Sequence, residues 1–445
     1  MELHDVTERA LATGPVCDAC LGRLVADRSH GLTNARRGEA MRVARALAAD
    51  DPYDPHDPED GECWVCEGEC RRFGEFAERA LAALEGLEFA TYQVGTRVSP
   101  LLEENGRLLR EEAGLPEDAG EGINGEFNRE VGKRIGAGVD ADLDLERPDV
   151  LALLDLSTDE VEVQVNSAFV YGRYRKLERD IPQTKWPCTD CGAAGTKRGE
   201  PCQGCDGTGY RYETSVEQLT APVVLEALDG EEAVFHGAGR EDVDALMLEG
   251  GRPFVIEVKE PRRRAVGVDA DALQREINDY ADGRVEVEGV RPATHRMVER
   301  VKGLDAAKTY RAQVEFDAPV AGEDLRRAVE DLEGATVEQR TPERVEQRRA
   351  DIVRTRTVYD IAADLEDEYH AVVELRGEGG LYVKELISSD EGRTEPSLAG
   401  LLGVDATVTA LDVLRVEGED EPFERPEFFR GGPPSEDDRA VAGNN

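Results

Sequence analysis

Lysine, histidine and long apolar runs are all in short supply in this sequence. Eight lysines stand among 54 basic residues, and six histidines are scattered over 445 residues. No stretch of about 18 apolar residues occurs, which excludes a membrane-spanning helix. The first ten residues lack the basic and apolar pattern of a signal peptide. A cytoplasmic location is therefore expected.

Three motifs of common enzyme classes are also missing. The sequence has no Gly-Lys-Ser/Thr phosphate loop, no GxGxxG after a predicted strand and no HExxH. These absences leave the ATPase, dehydrogenase and zinc-protease classes without support.

Positive charge is scarce as well. The 96 acidic residues outnumber the 54 basic ones, and the formal net charge is -42. Such an excess of carboxylates suits a protein dissolved in concentrated salt, where the Debye length is about 3 Å at 1 M. A nucleic-acid partner would need a groove whose local charge is positive, because phosphate binding requires cations.

Cysteine, by contrast, is present in a pattern: eight of the nine cysteines form four CxxC pairs. In a reducing compartment such pairs favour metal binding over disulfides. Cys188, Cys191, Cys202 and Cys205 have the compact spacing of a zinc ribbon, followed by glycines suited to tight turns. We expect a structural zinc there, with metal-free thiols or an iron–sulfur cluster as alternatives.

A looser set of cysteines is formed by Cys17, Cys20, Cys63 and Cys66. A helix over residues 32–48 can bring its two pairs together. The buried stripe expected for that helix is Ala40, Val43 and Leu47. Cys70 is the odd thiol and is expected to be a spare or buried cysteine. Both metal sites should be structural, since four protein ligands leave no position open for water.

Hydrophobic periodicity predicts alternating helices and strands along most of the chain. Clean alternation indicates a strand at 161–165, and four-residue spacing indicates a helix with Phe127, Val131 and Ile135. Later strands are expected at 233–236, 254–258, 285–290, 310–316, 369–375 and 410–416. The pattern is that of an α+β multidomain protein, and the acidic segment 418–445 is expected to be mobile.

Three segments carry residues suited to chemistry. In Gly239-Arg240-Glu241-Asp242, a glycine-flanked loop after a predicted strand can present a carboxylate paired with Arg240. The second segment is the strand that holds Tyr310, and the third is 381–386, which holds Lys384. Each also has an ordinary structural interpretation: a solvated turn, a core tyrosine and a surface helix.

In this order, the three segments resemble the motifs of the pseudouridine synthases. Further stretches are similar to the archaeal tRNA pseudouridine synthase family that modifies uridines 54 and 55 of the T loop. They include Cys17-x-x-Cys20-x-Gly22-Arg23, Gln183-Thr184-Lys185-Trp186-Pro187-Cys188 and Gly251-Arg252-Pro253-Phe254. The resemblance extends from about residue 14 to residue 416. The chain departs from it at Leu246 and Glu249, where an arginine and a glycine are expected, and at Ser388-Ser389, which replaces a His-Gly pair.

The resemblance implies an architecture. A zinc-bearing N-terminal module and a THUMP RNA-binding domain should precede a catalytic domain with a mixed, mostly antiparallel central sheet flanked by helices. The expected boundaries are 1–72 for the zinc module, 73–180 for the THUMP domain, 181–212 for the CxxC–CxxC knuckle and linker, 213–417 for the catalytic domain and 418–445 for the acidic tail.

The resemblance also implies a reaction, in which uracil is detached from C1′ and rejoined through C5 without a cofactor. Asp242 would act as nucleophile or base, Tyr310 would stack on the flipped uracil and Lys384 would hold the Asp242 charge. The other expected substrate contacts are Arg240, Tyr382, Val383 and Leu386. The residues expected to contact RNA are Tyr171, Arg173, Tyr174, Arg175 and Lys176, with an edge strand and linker as the alternative.

The expected partner is the T arm of tRNA, bound by a monomer with no obligate protein partner. Two other functions stay open from the sequence. One is a non-catalytic, zinc-dependent tRNA-binding protein. The other is a zinc chaperone or redox module built on Cys188–Cys205, which leaves the C-terminal half unexplained.

Overall fold

The computed structural model describes residues 2–53, 63–304, 306–342, 351–417 and 423–430. Its contacts divide the chain into two units, Met1–Asn166 and Ser167–Asn445. None of the helices in these ranges is both long enough and apolar enough to cross a membrane.

The N-terminal unit packs helices on one small sheet. Its helices are α1 (Leu3–Ala12), α2 (Asp18–Arg23), α3 (Asn34–Ala49), α4 (Phe73–Leu84), α5 (Pro100–Glu112) and α6 (Ile123–Gly138), and its strands are β1 (Thr91–Arg97), β2 (Asp142–Leu143), β3 (Val150–Asp155) and β4 (Glu160–Val165). The strand order is β2-β1-β3-β4. One hydrophobic cluster extends from Val6 to Leu156, so the segments expected as a zinc module and a THUMP domain share a core.

Helices α2 and α3 are in backbone contact through glycine. A Cβ on Gly38 would lie 2.0 Å from the carbonyl oxygen of Asp18, so only glycine allows this approach. The expected buried stripe on α3 is wrong: Leu47 is 78% exposed, and the buried positions include Gly38, Met41 and Ala46. The stripe failed because the face of α3 that holds Gly38 packs against α2, whereas Ala40 and Leu47 are exposed.

The C-terminal unit is built on one large sheet. Its strands are β5 (Ala168–Lys176), β6 (Thr196–Lys197), β7 (Glu200–Pro201), β8 (Glu232–Gly237), β9 (Leu246–Lys259), β10 (Val285–Ala293), β11 (Lys308–Phe316), β12 (Thr336–Arg340), β13 (Val353–Leu365), β14 (His370–Gly377), β15 (Thr394–Glu395) and β16 (Ala406–Val416). Its helices are α7 (Val216–Ala227), α8 (Ala270–Ala281), α9 (His295–Lys302), α10 (Gly322–Leu332), α11 (Val383–Ser388) and α12 (Leu398–Leu402). The ten-stranded sheet has the order β10-β5-β9-β16-β11-β14-β13-β12-β15, with β8 also paired to β9.

Strand directions in this sheet confirm the expected mixed, mostly antiparallel arrangement. β16 pairs with β9 in parallel, whereas β11 pairs with both β14 and β16 in antiparallel fashion. Because β9 and β11 flank β16, the loop that follows β8 and the start of β11 can contribute to one site.

Strand β5 belongs to the C-terminal unit, so the two units divide before it. It pairs with β10 on one side and with β9 on the other, so it is an interior strand of the C-terminal sheet. The expected boundary at 180 is therefore too late, and the contacts place it between Asn166 and Ser167. The alternative of an edge strand and linker is also wrong for this segment.

Part of the tail expected to be mobile is packed. Phe423 and Phe428 join a buried cluster with Tyr171, Val255 and Met297. The backbone N–H of Arg430 donates to the carbonyl oxygen of Pro292 at 3.2 Å. The acidic composition of this segment suggested mobility, but the side chains of Phe423 and Phe428 are buried. Residues 418–422 and 431–445, where the same expectation applies, lie outside the described residues.

Candidate active site and cysteine clusters

The loop between β8 and β9 opens onto a cavity of about 630 Å³. Gly239 has a φ of +69°, which lets this short loop turn sharply. Six residues predicted from the sequence line the cavity: Arg240, Asp242, Tyr310, Tyr382, Val383 and Lys384. They come from the β8–β9 loop, from β11 and from the start of α11, which the strand order brings together.

Leu386 is the predicted substrate contact that does not line the cavity. Its side chain is fully buried in the hydrophobic core, and Leu381, Leu411 and Val413 supply apolar lining to the cavity. Leu386 lies one turn into α11, where its side chain faces the core.

The carboxylate of Asp242 has a cationic neighbour. Lys384 Nζ lies 3.5 Å from Asp242 Oδ2 and 2.9 Å from Asp244 Oδ2. The Asp242 side chain is 41% exposed, so it can reach a molecule in the cavity. The sequence did not single out Asp244 as a second partner of Lys384. The expected pairing of Arg240 with Asp242 stays a prediction; Arg240 is exposed on the same loop.

Tyr310 provides an aromatic surface beside the acid. It is 9% exposed and sits near the start of β11, opposite Leu375 and Val413. Burial raises the pKa of Tyr310 to about 12, with Arg252 lowering it and Asp242 raising it. The phenol therefore keeps its proton at neutral pH.

The buried side chain of Lys176 holds the backbone of the loop that carries Asp242. Its ammonium is fully buried and donates to the carbonyl oxygens of Val243 at 2.9 Å, Asp242 at 3.2 Å and Ile181 at 2.8 Å. Burial lowers the pKa of Lys176, and the Glu241 carboxylate opposes that change. The lysine thus fixes the loop that carries the candidate catalytic carboxylate.

The buried carboxylate of Glu241 organises the rest of this support. Arg252 Nε lies 2.9 Å from Glu241 Oε2, and both side chains are 1% exposed. Tyr174 donates its hydroxyl to Glu241 Oε2 at 2.9 Å. Arg252 and Gln183 donate to the carbonyl oxygens of Ala238 and Gly239, each at 2.8 Å. Because a buried charge must be paired, this network specifies one loop conformation.

The run expected to contact RNA is mostly internal. The fully buried members are Tyr171, Tyr174 and Lys176. Arg173 donates to the backbone oxygens of Gly250, Gly251 and Val416. Arg175 is the member nearer the surface, where it pairs with Glu286 at 2.9 Å. The predicted RNA contact is therefore wrong for the buried residues, because an interior strand of the sheet points its side chains into packed layers.

The charge of the cavity lining differs in sign from that of the chain. Four cations and two anions line it: Arg240, Arg252, Lys308 and Lys384 against Glu241 and Asp242. A locally positive cavity in a chain of net charge -42 is the arrangement expected for an anionic partner.

Several residues that line the cavity were not predicted as site residues from the sequence. They include Gln183, Trp186, Lys308 and Arg252. Their proximity depends on strand order, which local patterns do not reveal. For Trp186, the sequence offered one signal: it lies two positions before Cys188, the first cysteine of the knuckle.

The compact cysteine set forms a group suited to a metal ion. Sγ atoms of Cys188 and Cys202 are 4.0 Å apart, and those of Cys191 and Cys205 are 3.7 Å apart. All four Sγ atoms lie within 4.8 Å of one another. Tetrahedral zinc with bonds of about 2.3 Å requires thiolates about 3.8 Å apart, so this donor set fits Zn²⁺.

The outer cysteines form a cluster of five. Sγ atoms lie 3.7 Å apart for Cys17 and Cys66, 3.9 Å for Cys20 and Cys70, and 3.7 Å for Cys20 and Cys63. The four that lie within 4.8 Å of one another are Cys17, Cys20, Cys66 and Cys70. Cys70, expected to be a spare or buried cysteine, is buried but not spare, because it belongs to this group of four. Cys63 as a ligand stays a prediction.

Arg23 connects this cluster to helix α6. Its Nη1 donates to Cys70 Sγ at 3.0 Å and to Glu126 Oε2 at 2.9 Å, and its Nη2 donates to Cys20 Sγ at 3.1 Å. Donors of this kind stabilise thiolates and orient metal ligands. The cation suits a site with anionic sulfur.

Comparison with known proteins identifies the family. A family model described as "Pus10, C-terminal" matches residues 169–417, and one described as "Pus10 THUMP domain, archaeal" matches residues 76–155. The chain belongs to the Pus10 family. The Pus10 C-terminal match begins on β5, close to the division between the units, and contains every residue that lines the cavity. The archaeal THUMP match confirms the expected THUMP domain.

Relatives of similar length share the Pus10 name. A protein from Halorubrum lacusprofundi is 64% identical over 97% of this chain and 100% of its own length. Relatives from Methanothrix thermoacetophila and Methanothermobacter marburgensis are 43% and 42% identical, over 94% and 93% of this chain and 95% and 99% of their own lengths. All three are named tRNA pseudouridine synthase Pus10.

Proposed function

We propose that this chain is a tRNA pseudouridine synthase that converts the T-loop uridines 54 and 55 to pseudouridine. The observation that carries the proposal is the Asp242 carboxylate, 3.5 Å from Lys384 Nζ in a cavity also lined by Tyr310. The names of its Pus10 relatives support the reaction class, and the motifs shared with the T-loop family support the choice of uridines.

The reaction is an isomerisation. The C1′–N1 bond of uridine breaks, a C1′–C5 bond forms, the proton on C5 leaves and N1 gains a proton. Atoms and electrons balance without an oxidant or a group donor, so no cofactor is needed for catalysis. The target base has to leave its stack, at a cost of a few kcal/mol.

Each cavity residue has a part in this proposal. Asp242 starts the reaction as nucleophile or base, and Lys384 keeps its charge in place. Tyr310 stacks on the uracil, and its protonated hydroxyl can assist proton transfer near C5. Val383 supplies apolar contact, Tyr382 provides a further contact, and Arg240 helps to fill the space that the flipped base vacates.

Tritium release from C5-labelled, unmodified tRNA tests the catalytic acid. We expect Asp242→Asn to reduce release to background, because the amide cannot act as nucleophile or base. Asp244→Asn is the matched control, since Asp244 shares the contact with Lys384 but is 62% exposed; its activity should stay within about tenfold of the parent. Activity in Asp242→Asn would refute the assignment.

Two further measurements separate binding from chemistry and define the target. Tyr310→Phe should lose most turnover while tRNA binding stays nearly intact, and equal loss of both would contradict its role in the reaction. Sequencing-based mapping of pseudouridine in tRNA treated with the enzyme should find new sites at positions 54 and 55. Modification elsewhere would refute the T-loop assignment.

The proposal includes Zn²⁺ at both cysteine clusters as a structural ion. Each fully thiolate-ligated ion would lack an open position, so it would stabilise its module rather than take part in the reaction. Metal analysis should find two zinc ions per chain. The nine free cysteines suit a reducing cytoplasm, and we expect the T arm of tRNA to be bound by a monomer.

A further inference from the structure

The cysteine knuckle has a short two-stranded stem that ends beside the cavity. The backbone N–H of Arg211 donates to the carbonyl oxygen of Trp186 at 2.9 Å, and that of Cys188 donates to Gly209 at 2.8 Å. Pro187 and Tyr210 form an isolated β-bridge between these bonds. The two segments that enter and leave the cysteine group are thereby held side by side.

Three side chains at the base of this stem form what we call the knuckle platform: Trp186, Arg211 and Tyr212. The rings of Trp186 and Tyr212 are 5.4 Å apart at 79°. The guanidinium carbon of Arg211 is 5.9 Å from the centroid of each ring. Arg211 is exposed, and both rings are partly exposed, so the platform offers aromatic and cationic surface to a molecule outside the protein.

Trp186 also lines the cavity that contains Asp242. The platform and the candidate catalytic acid are therefore parts of one continuous surface. Gln183, which holds the Gly239 carbonyl oxygen at 2.8 Å, lies three residues before Trp186. A short segment of chain therefore joins Gln183, which holds the loop of Asp242, to Trp186 of the platform.

We infer that the knuckle platform stacks an unpaired nucleotide of the RNA next to the uridine that enters the cavity. The inference rests on the proposed function and adds a substrate-binding site to it. Extruding one base leaves the faces of its neighbours uncovered, and aromatic rings and arginine planes are the groups that proteins use to cover such faces. Arg211 adds attraction for the adjoining phosphate.

The platform gives the knuckle a part in substrate binding. Thiolates held together by a metal ion would fix the stem and hence the position of Trp186, while Asp242 is fixed separately by Lys176 and Arg252. Disruption of the knuckle should therefore weaken RNA binding more than it slows the reaction of bound RNA.

Intrinsic fluorescence gives a direct test, because Trp64 and Trp186 are the two tryptophans of the chain. In the full-length Trp64→Phe variant, Trp186 is the single reporter. Titration with an unmodified T-arm RNA hairpin should quench its emission, and the quenching should saturate with the same Kd that an independent filter-binding assay gives. The complementary Trp186→Phe variant, which reports Trp64, should show little quenching.

Steady-state kinetics on the same hairpin supplies the second readout. Trp186→Ala should raise KM about fivefold to a hundredfold with kcat within about threefold, and Trp186→Phe should restore most of the loss because it keeps a ring. Tyr359→Ala is the matched control, since Tyr359 also has an arginine over its ring, with Arg376 at 5.0 Å, but does not line the cavity. That variant should keep the parent KM.

Two outcomes would overturn the inference. One is an enzyme that forms pseudouridine while Trp186 emission is unaffected by saturating RNA. The other is a Trp186→Ala variant with unchanged KM. If instead the parent forms no pseudouridine at all, the proposed function fails, and quenching of Trp186 by RNA still decides whether the platform binds nucleotides.

Discussion

Lys176 is the residue whose role changed most between sequence and structure. In the sequence it ends a basic and aromatic run that is suited to RNA. In the structure its ammonium is buried and donates to three backbone carbonyl oxygens, two of them from Asp242 and Val243. A strand pattern does not show which neighbours cover each face, so a buried lysine and an RNA-binding lysine look alike in sequence.

Replacement of this lysine should separate turnover from binding. We expect Lys176→Met to lower kcat about tenfold to a hundredfold with KM for tRNA within about threefold, because the loop that carries Asp242 loses its donors while the RNA surface is unchanged. Glu241 keeps Arg252 at 2.9 Å, so the fold should survive. Kinetics on T-arm RNA and a thermal melt check both points.

The control for Lys176 is its neighbour on the same strand. Arg175 points to the surface and pairs with Glu286, so Arg175→Gln should leave kcat unchanged. A rise in KM with unchanged kcat in Lys176→Met would restore the RNA-binding interpretation of this lysine and reject its positioning role.

At the scale of elements, two departures from the family pattern coincide with strained backbone. Glu249 stands where a glycine is expected and has a φ of +41°, and Ser389 stands where another is expected and has a φ of +72°. Residues with a Cβ are disfavoured in this region by about 1–2 kcal/mol. Glu249 lies at an irregularity within β9, where the pairing with β5 shifts register, and Ser389 caps the C-terminal end of α11.

Glu249→Gly should stabilise the protein. Removal of the strain at φ +41° outweighs the added entropy of the unfolded chain by an expected net of about 0.5 kcal/mol. The carboxylate lost is 49% exposed and 3.9 Å from Arg415, so little is forfeited. Denaturant unfolding measures the change; Glu249→Ala keeps the Cβ and should not be stabilised, and equal effects of both substitutions would contradict the strain argument.

At the contact between α2 and α3, a substitution of glycine should lower stability, whereas Glu249→Gly should raise it. Gly38→Ala should destabilise the N-terminal unit by about 2–4 kcal/mol, because the new Cβ would be 2.0 Å from the Asp18 carbonyl oxygen. Gly74→Ala, on α4, meets no atom within 4 Å and should be neutral or stabilising. Chemical denaturation of the two variants gives the comparison, and similar stabilities would show that the helices can separate without cost.

The elements themselves were predicted with uneven success. Periodicity located α6 and six of the twelve strands described in the C-terminal unit. The three motifs predicted to act together, those of Asp242, Tyr310 and Lys384, line one cavity. The interior position of β5 was missed, because its alternation of charged and aromatic residues resembles an exposed surface. The supporting residues Glu241 and Arg252 were missed as a pair, since eleven positions of sequence separate groups whose contact depends on the sheet.

At the scale of the whole molecule, charge is the dominant property. A net charge of -42 destabilises the compact state through self-repulsion unless salt screens it. The melting temperature should rise by about 10 °C or more between about 0.2 M and 2 M KCl. Potassium chloride and choline chloride at equal ionic strength should act alike if screening is the cause, and a melting temperature independent of salt would contradict the argument.

The segment around Phe423 and Phe428 has a practical consequence for anyone who shortens this protein. The Pus10 C-terminal match stops at residue 417, which invites truncation there. Such a cut would strip the cover from Tyr171 and Val255 and remove Glu424, which accepts a hydrogen bond from the Tyr171 hydroxyl at 2.7 Å. The uncovered aromatic patch would favour aggregation, so a minimal catalytic fragment has to retain residues through Arg430.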